Sequence, residues 1–181
     1  MLAPKPEFLD FGQVSGSGYQ RLAFLFETVG ITMQHYRIHA DDGDELGVRV
    51  EMQHLDACPG PDDSDAWELR LHDPIFRADL FTLSTGVPGN LDRAHYHPVF
   101  SGRYPTDRVF DGRIQTEPLT WLTDVLSDLD ALLMAAGCAN LAGRGDGARV
   151  AAAVPAIVEA VQQFLSAVIP ELVTSPGARG S

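Results

Sequence analysis

The spacing of apolar residues changes once along the chain, and that change limits the folds open to it. Leu46, Val48, Val50 and Met52 recur at every second position, as do Trp67, Leu69 and Leu71. That is the period of a strand with one face buried. Beyond residue 116 the period lengthens. Leu122, Val125, Leu126, Leu129, Leu132 and Leu133 follow the three-and-four spacing of an amphipathic helix. Strands first and helices last, without a repeated βαβ alternation, imply an α+β fold.

The strand-rich part reads as a small antiparallel β-meander of about four strands. ITMQHYRIHA runs into the turn signal DDGDE, and ELGVRVEMQHL resumes after it, which predicts a hairpin. The loop DACPGPDDSD precedes AWELRLHD, and IFRADLFTL is expected as a further strand joined to it through Asp73 and Pro74. Links this short favour antiparallel neighbours over crossovers. Residues 19–30, YQRLAFLFETVG, fit both periods and stay unassigned. Two C-terminal helices are expected to pack on one face of the sheet. The first begins near Thr116, with Pro118 in its first turn, and ends at Gly137. The second runs from about Ala148 to Ile169 with Val154, Ile157, Val158, Val161, Leu165 and Val168 on one side, and Pro155 marks a start or a kink.

At 181 residues the chain can bury one sizeable core. Residues 1–18, with Pro4, Pro6, Gly12 and SGSG, read as an N-terminal arm, and 19–181 as a single α+β domain. Within it, 19–83 is strand-rich, 84–115 a long Arg/His loop, 116–170 helical, and 171–181 is expected to be a disordered tail. The first residues lack the basic and apolar regions of a secretory signal, so a cytoplasmic setting is expected. Cys58 and Cys138 form no CxxC pair and are expected as free thiols. A net charge of -12 repels phosphate backbones, so no nucleic-acid partner is expected. Between Val150 and Pro170 the only charged residue is Glu159, but Pro155, Gln162 and Gln163 argue against a membrane span. An interior helix or a homodimer contact suits that segment better.

Against this acidic background, GNLDRAHYHPVFSGRYPTDRVFDGR at 89–113 gathers four arginines and two histidines. Arginine donates two parallel hydrogen bonds to carboxylate or phosphate, and histidine is a switchable donor near neutral pH. Arg77, Arg93, Arg103, Arg108 and His72 are therefore candidate ligands for a small anion. Pairing with Asp92, Asp107 and Asp111 to pin the loop is the structural alternative. His95 and His97 stand two apart, which in extended chain turns both rings to one side and suits a shared metal ion. A tight hairpin through Asp73 and Pro74 would bring Arg70, His72, Arg77 and Asp79 together beside them. His54 and His72 face opposite sides of the sheet by alternation, unless a bulge intervenes. His35 and His39 share a strand face and are assigned no function.

From Gly89 to His97, five residues separating Gly89 from His95-Tyr96-His97, the chain resembles the opening of the first cupin motif over nine residues. Cupins continue with a glutamate after three or four further residues, where this chain has Ser101 and Gly102. No histidine follows His97 to serve the second cupin motif. The resemblance therefore implies no cupin assignment. GRGDGAR at 143–149 follows a helical run and lacks the Lys-Ser/Thr of a phosphate loop, and no GxSxG elbow occurs.

Two functions remain. One is a non-catalytic binding or regulatory module that takes an anionic ligand on the Arg/His loop, or a basic protein partner on its acidic surface. The alternative is a small hydrolase or nuclease-like enzyme. In it His95 or His97 serves as general acid/base or metal ligand, Asp79 or Asp92 orients it, and Arg77, Arg93 or Arg103 stabilises a developing anion. Neither requires a cofactor, and a divalent metal is an optional addition.

Overall fold

A computed structural model describes residues 21–40, 43–59, 67–84 and 94–174. Five strands, β1 (Arg21–Leu25), β2 (Val29–Ala40), β3 (Gly43–Pro59), β4 (Trp67–Ser84) and β5 (His95–His97), form one sheet in chain order. Every neighbouring pair is antiparallel. A two-stranded ribbon follows, β6 (Phe100–Ser101) and β7 (Tyr104–Pro105), and then four helices: α1 (Gly112–Thr116), α2 (Pro118–Ser127), α3 (Leu129–Ala135) and α4 (Asp146–Thr174). The fold is α+β.

From Arg21 on, the ambiguous stretch resolves into β1 and the start of β2, with Leu25 opposite Gly30. In β3, a Cβ at Gly47 would lie 2.4 Å from the Leu80 backbone carbonyl oxygen, so that position favours glycine. The predicted hairpin is present, with Ala40 opposite Gly43.

Three elements depart from the sequence reading. Trp67–Ser84 is one continuous strand, β4, so the tight hairpin expected at Asp73 and Pro74 is absent. Pro74 is accommodated because it lies opposite Gln53, where the β3–β4 register shifts and a ladder bond is interrupted anyway. The helix expected from Thr116 to Gly137 is broken. Thr116 closes α1, Glu117 precedes α2 without a side-chain capping bond, and Asp128 ends α2 and caps α3 by accepting the Ala131 N–H at 3.1 Å. A short side chain that can bond the backbone this way favours a cap over a helix interior. Gly137, at φ 77, follows α3 in the left-handed region. Pro155, in turn, lies inside α4, which begins at Asp146 and runs on through it. The expected long loop contains β5, β6, β7 and α1. Its residues 85–93 lie outside the described residues, as do the expected N-terminal arm and positions 175–181 of the tail.

The core lies between one face of the sheet and the helices. Leu22, Phe24, Ile31, Met33, Val50, Met52 and Phe76 meet Trp121, Leu122, Leu126, Leu129 and Leu133 there. Tyr96 of β5 joins them, with its ring 5.2 Å from that of Trp121. Over Asp146–Ala167, α4 is long and apolar enough to cross a membrane. In this fold, however, Val150, Val154, Ile157 and Val161 are buried in the core. Because Val48, Val50, Ala78 and Tyr96 point into that core, their sequence neighbours Arg49, Glu51, Arg77, Asp79, His95 and His97 belong to the opposite face.

Candidate functional site

Strand pairing builds the site on that second face. Asp79 of β4 stands opposite Arg49 of β3 on one side and His95 of β5 on the other, while Arg77 stands between Glu51 and His97. Two rows of polar side chains thus cross three strands in register. Such a face ordinarily meets water. Here Asp79, His95 and His97 are only 3%, 2% and 4% exposed. Phe110 lies 5.6 Å from the His95 ring, Phe100 meets His97 edge-on at 6.3 Å, and the Arg77 guanidinium lies 5.3 Å from the Phe100 ring.

The charges on this face are internally matched. Arg49 donates to both oxygens of Asp79, at 2.7 and 3.2 Å, and Arg77 donates to Glu51 at 2.7 Å. The histidines converge on the remaining side of Asp79: Nε2 of His95 lies 3.5 Å from Oδ2, and Nε2 of His97 lies 4.0 Å from the same atom. Nδ1 of His97 is 3.1 Å from the Thr106 carbonyl. A carbonyl can only accept, so the proton belongs on Nδ1, and neutral His97 turns the Nε2 lone pair toward the carboxylate. Burial lowers the pKa of His97, and nearby Arg77 and Arg108 add to the effect, against the Thr106 hydrogen bond and the Asp79 charge. One ligand atom from each of Asp79, His95 and His97 lies within 4.8 Å of the others.

His72 does not join this group. It forms a second cluster with His54 and Asp56, in which Nε2 of His54 lies 3.2 Å and Nε2 of His72 2.9 Å from the two Asp56 oxygens. The expected separation of His54 and His72 on opposite faces is overturned by the irregular β3–β4 register between Met52 and Leu55. Met52 and Leu55 are both buried although three positions apart, so alternation breaks between them.

The candidate arginines are dispersed. Arg77 is tied to Glu51, and Arg103 is largely exposed with Nε 3.8 Å from Asp73. Arg108 lies close enough to influence His97 electrostatically. Arg93 and Asp92 fall outside the described residues. Arg113 pairs with Asp124 of α2 at 2.5 Å. His35 meets the Phe164 carbonyl at 2.7 Å, fastening β2 to α4. Cys138 is a free thiol whose pKa is raised by burial.

Arg49, Glu51 and Asp56 belong to these clusters and carry no motif. Their signal is the alternation itself, because Arg49 and Glu51 fall between Val48, Val50 and Met52, but only the cross-strand register shows what they face. No protein-family model, curated protein or solved structure matches the chain.

Proposed function

We propose that this chain is a binding module whose ligand is a divalent transition-metal ion held by Asp79, His95 and His97, with a small anion completing its coordination. The observation that carries the proposal is the arrangement at His97. A buried neutral imidazole, fixed by Nδ1–H on a backbone carbonyl, directs its lone pair at a carboxylate oxygen 4.0 Å away. Lone pair and anion repel each other, and a cation between them removes the conflict. A backbone hydrogen bond on the far ring nitrogen is also the usual way a metal-binding histidine is oriented. Two imidazoles and one carboxylate suit zinc, iron, cobalt or nickel better than the harder magnesium or calcium.

The anion follows from charge. Arg49 and Arg77 balance Asp79 and Glu51, so an added divalent ion brings two positive charges into a buried setting where they are poorly screened. Three protein ligands leave at least one position open, and an anionic ligand there is favoured. This keeps the anion expected at the Arg/His loop but anchors it on the ion, since Arg77 is already committed to Glu51. Deep burial of all three ligands favours retention of an ion over access by a substrate, which supports binding ahead of hydrolysis.

The test is elemental analysis of untagged full-length protein purified without chelator, followed by Zn²⁺ titration after chelation and dialysis. Wild type is expected to hold one ion more than each of the His95→Gln, His97→Gln and Asp79→Asn variants. Unchanged stoichiometry in all three, with unchanged circular dichroism, would remove the proposal. Metal-dependent turnover of phosphodiester, phosphomonoester or ester substrates, abolished by His95→Gln, would replace binding with hydrolysis.

A further inference from the structure

We infer that His54, Asp56 and His72 form a second metal site, open to solvent and independent of the buried one, that takes a divalent transition-metal ion such as zinc, nickel or copper. The inference goes beyond the function proposed above and does not depend on it. The cluster arises from an irregularity in the sheet. Gln53 pairs with Pro74 and Leu55 with Leu71, so His54 on β3 and both His72 and Asp73 on β4 are skipped in the β3–β4 register, while His54 keeps Val29 of β2 opposite it on its other side. The strands are held in that arrangement by the Gln53 side-chain amide, which donates to the His72 carbonyl at 3.2 Å. The result turns two imidazoles to the same side. Their rings stack with centroids 5.3 Å apart and planes at 27°, and both Nε2 edges meet one carboxylate.

The spacing fits one ion. Atoms bound at about 2.0–2.1 Å in tetrahedral or octahedral arrangement lie about 2.8–3.4 Å from their neighbours around the metal. Nε2 of His54 lies 3.2 Å from one Asp56 oxygen and Nε2 of His72 2.9 Å from the other, both in that range, so an ion here would take the carboxylate through both oxygens. A ligand atom from each of the three residues lies within 4.8 Å of the others. His54, Asp56 and His72 keep 34%, 46% and 39% of their side-chain surface exposed, so water can fill the remaining positions and the ion can exchange. A chain with a net charge of -12 also attracts cations to its surface.

The test uses the full chain without an affinity tag and Zn²⁺ alone. Isothermal titration and equilibrium dialysis are run on wild type, on a His54→Gln/His72→Gln double variant, and on His95→Gln. The double variant is expected to lose one ion relative to wild type, and His95→Gln to retain that ion. In the His95→Gln background, Zn²⁺ should shift the ring signals of His54 and His72 in NMR spectra. If the double variant binds as many ions as wild type, or those signals do not respond, the second site is overturned whatever the buried cluster does. If only His95→Gln loses an ion, the buried site stands and this one falls. The altered residues are at least one third exposed, so folding is expected to survive, and circular dichroism checks that it does.

Discussion

His97 ties together the local chemistry and the stability of the site. Burial lowers its pKa, so the folded chain holds it neutral while the unfolded chain protonates it near the ordinary value of about 6.5. Its contribution to stability is therefore full above that value and is lost as the pH falls from there toward the lowered folded value. For the metal-free protein, the urea midpoint should fall between about pH 7.5 and pH 5.5, and His97→Gln should show a smaller fall. An equal fall in the variant would assign the pH dependence to other groups. The pairing of His95 with His97 was legible in the sequence, because a two-residue spacing puts both rings on one side of an extended strand. Asp79 was legible only as a candidate. Its position beside His95 depends on the β4–β5 register, which no local pattern encodes. Arg49 was less visible still, since an arginine between two valines reads as the wet face of a half-buried strand.

Among the elements, the apolar patterns located the core more reliably than they located the breaks. The stripe from Leu122 to Leu133 does face the core, although Asp128 divides it between two helices. Leu129 is 2% exposed, so Leu129→Ala should cost about 2 to 5 kcal/mol in thermal or urea unfolding, as large-to-small core changes do. A loss near zero would show that the site collapses without penalty. Asp128 was hard to read as a break because its capping bond uses a side chain that also suits the exposed face of a longer helix. Asp146, within the glycine-rich GRGDGAR, was hidden for a different reason. Its partners are more than a hundred residues away. Its carboxylate accepts the backbone N–H groups of Glu27 and Thr28, at 3.0 and 2.7 Å, and the Thr28 hydroxyl at 2.9 Å. The start of α4 is thereby fastened to the β1–β2 turn. Asp146→Ala would leave those donors without their acceptor and should destabilise the fold by on the order of 3 kcal/mol. Asp146→Asn, which keeps one carbonyl acceptor, should lose less in the same denaturation experiment.

Across the whole molecule, the sheet separates two kinds of stabilisation. One face is covered by helices and held by apolar packing, while the other is a buried polar lattice joining β3, β4 and β5 through Arg49, Asp79, His95, Glu51, Arg77 and His97. Among the described residues β5 is three residues long, joins the sheet through β4 alone, and is bridged on its other edge between Tyr96 and Val109. An ion shared by Asp79 on β4 and His95 and His97 on β5 would clamp this short edge strand to its neighbour. Since the unfolded chain offers no preformed site, binding energy would appear as folding energy. At a free Zn²⁺ concentration one hundred times the dissociation constant, one site adds about 2.7 kcal/mol. For a chain of this size that corresponds to a rise in Tm of about 5 to 11 °C. Differential scanning calorimetry with increasing Zn²⁺, and again with excess chelator, measures it. His95→Gln should remove the contribution of the buried ion, whereas His54→Gln/His72→Gln should leave that contribution intact and remove only what the exposed cluster adds between β3 and β4. A Tm unmoved by Zn²⁺ up to millimolar concentration would mean that the polar lattice closes β5 onto the sheet without an ion.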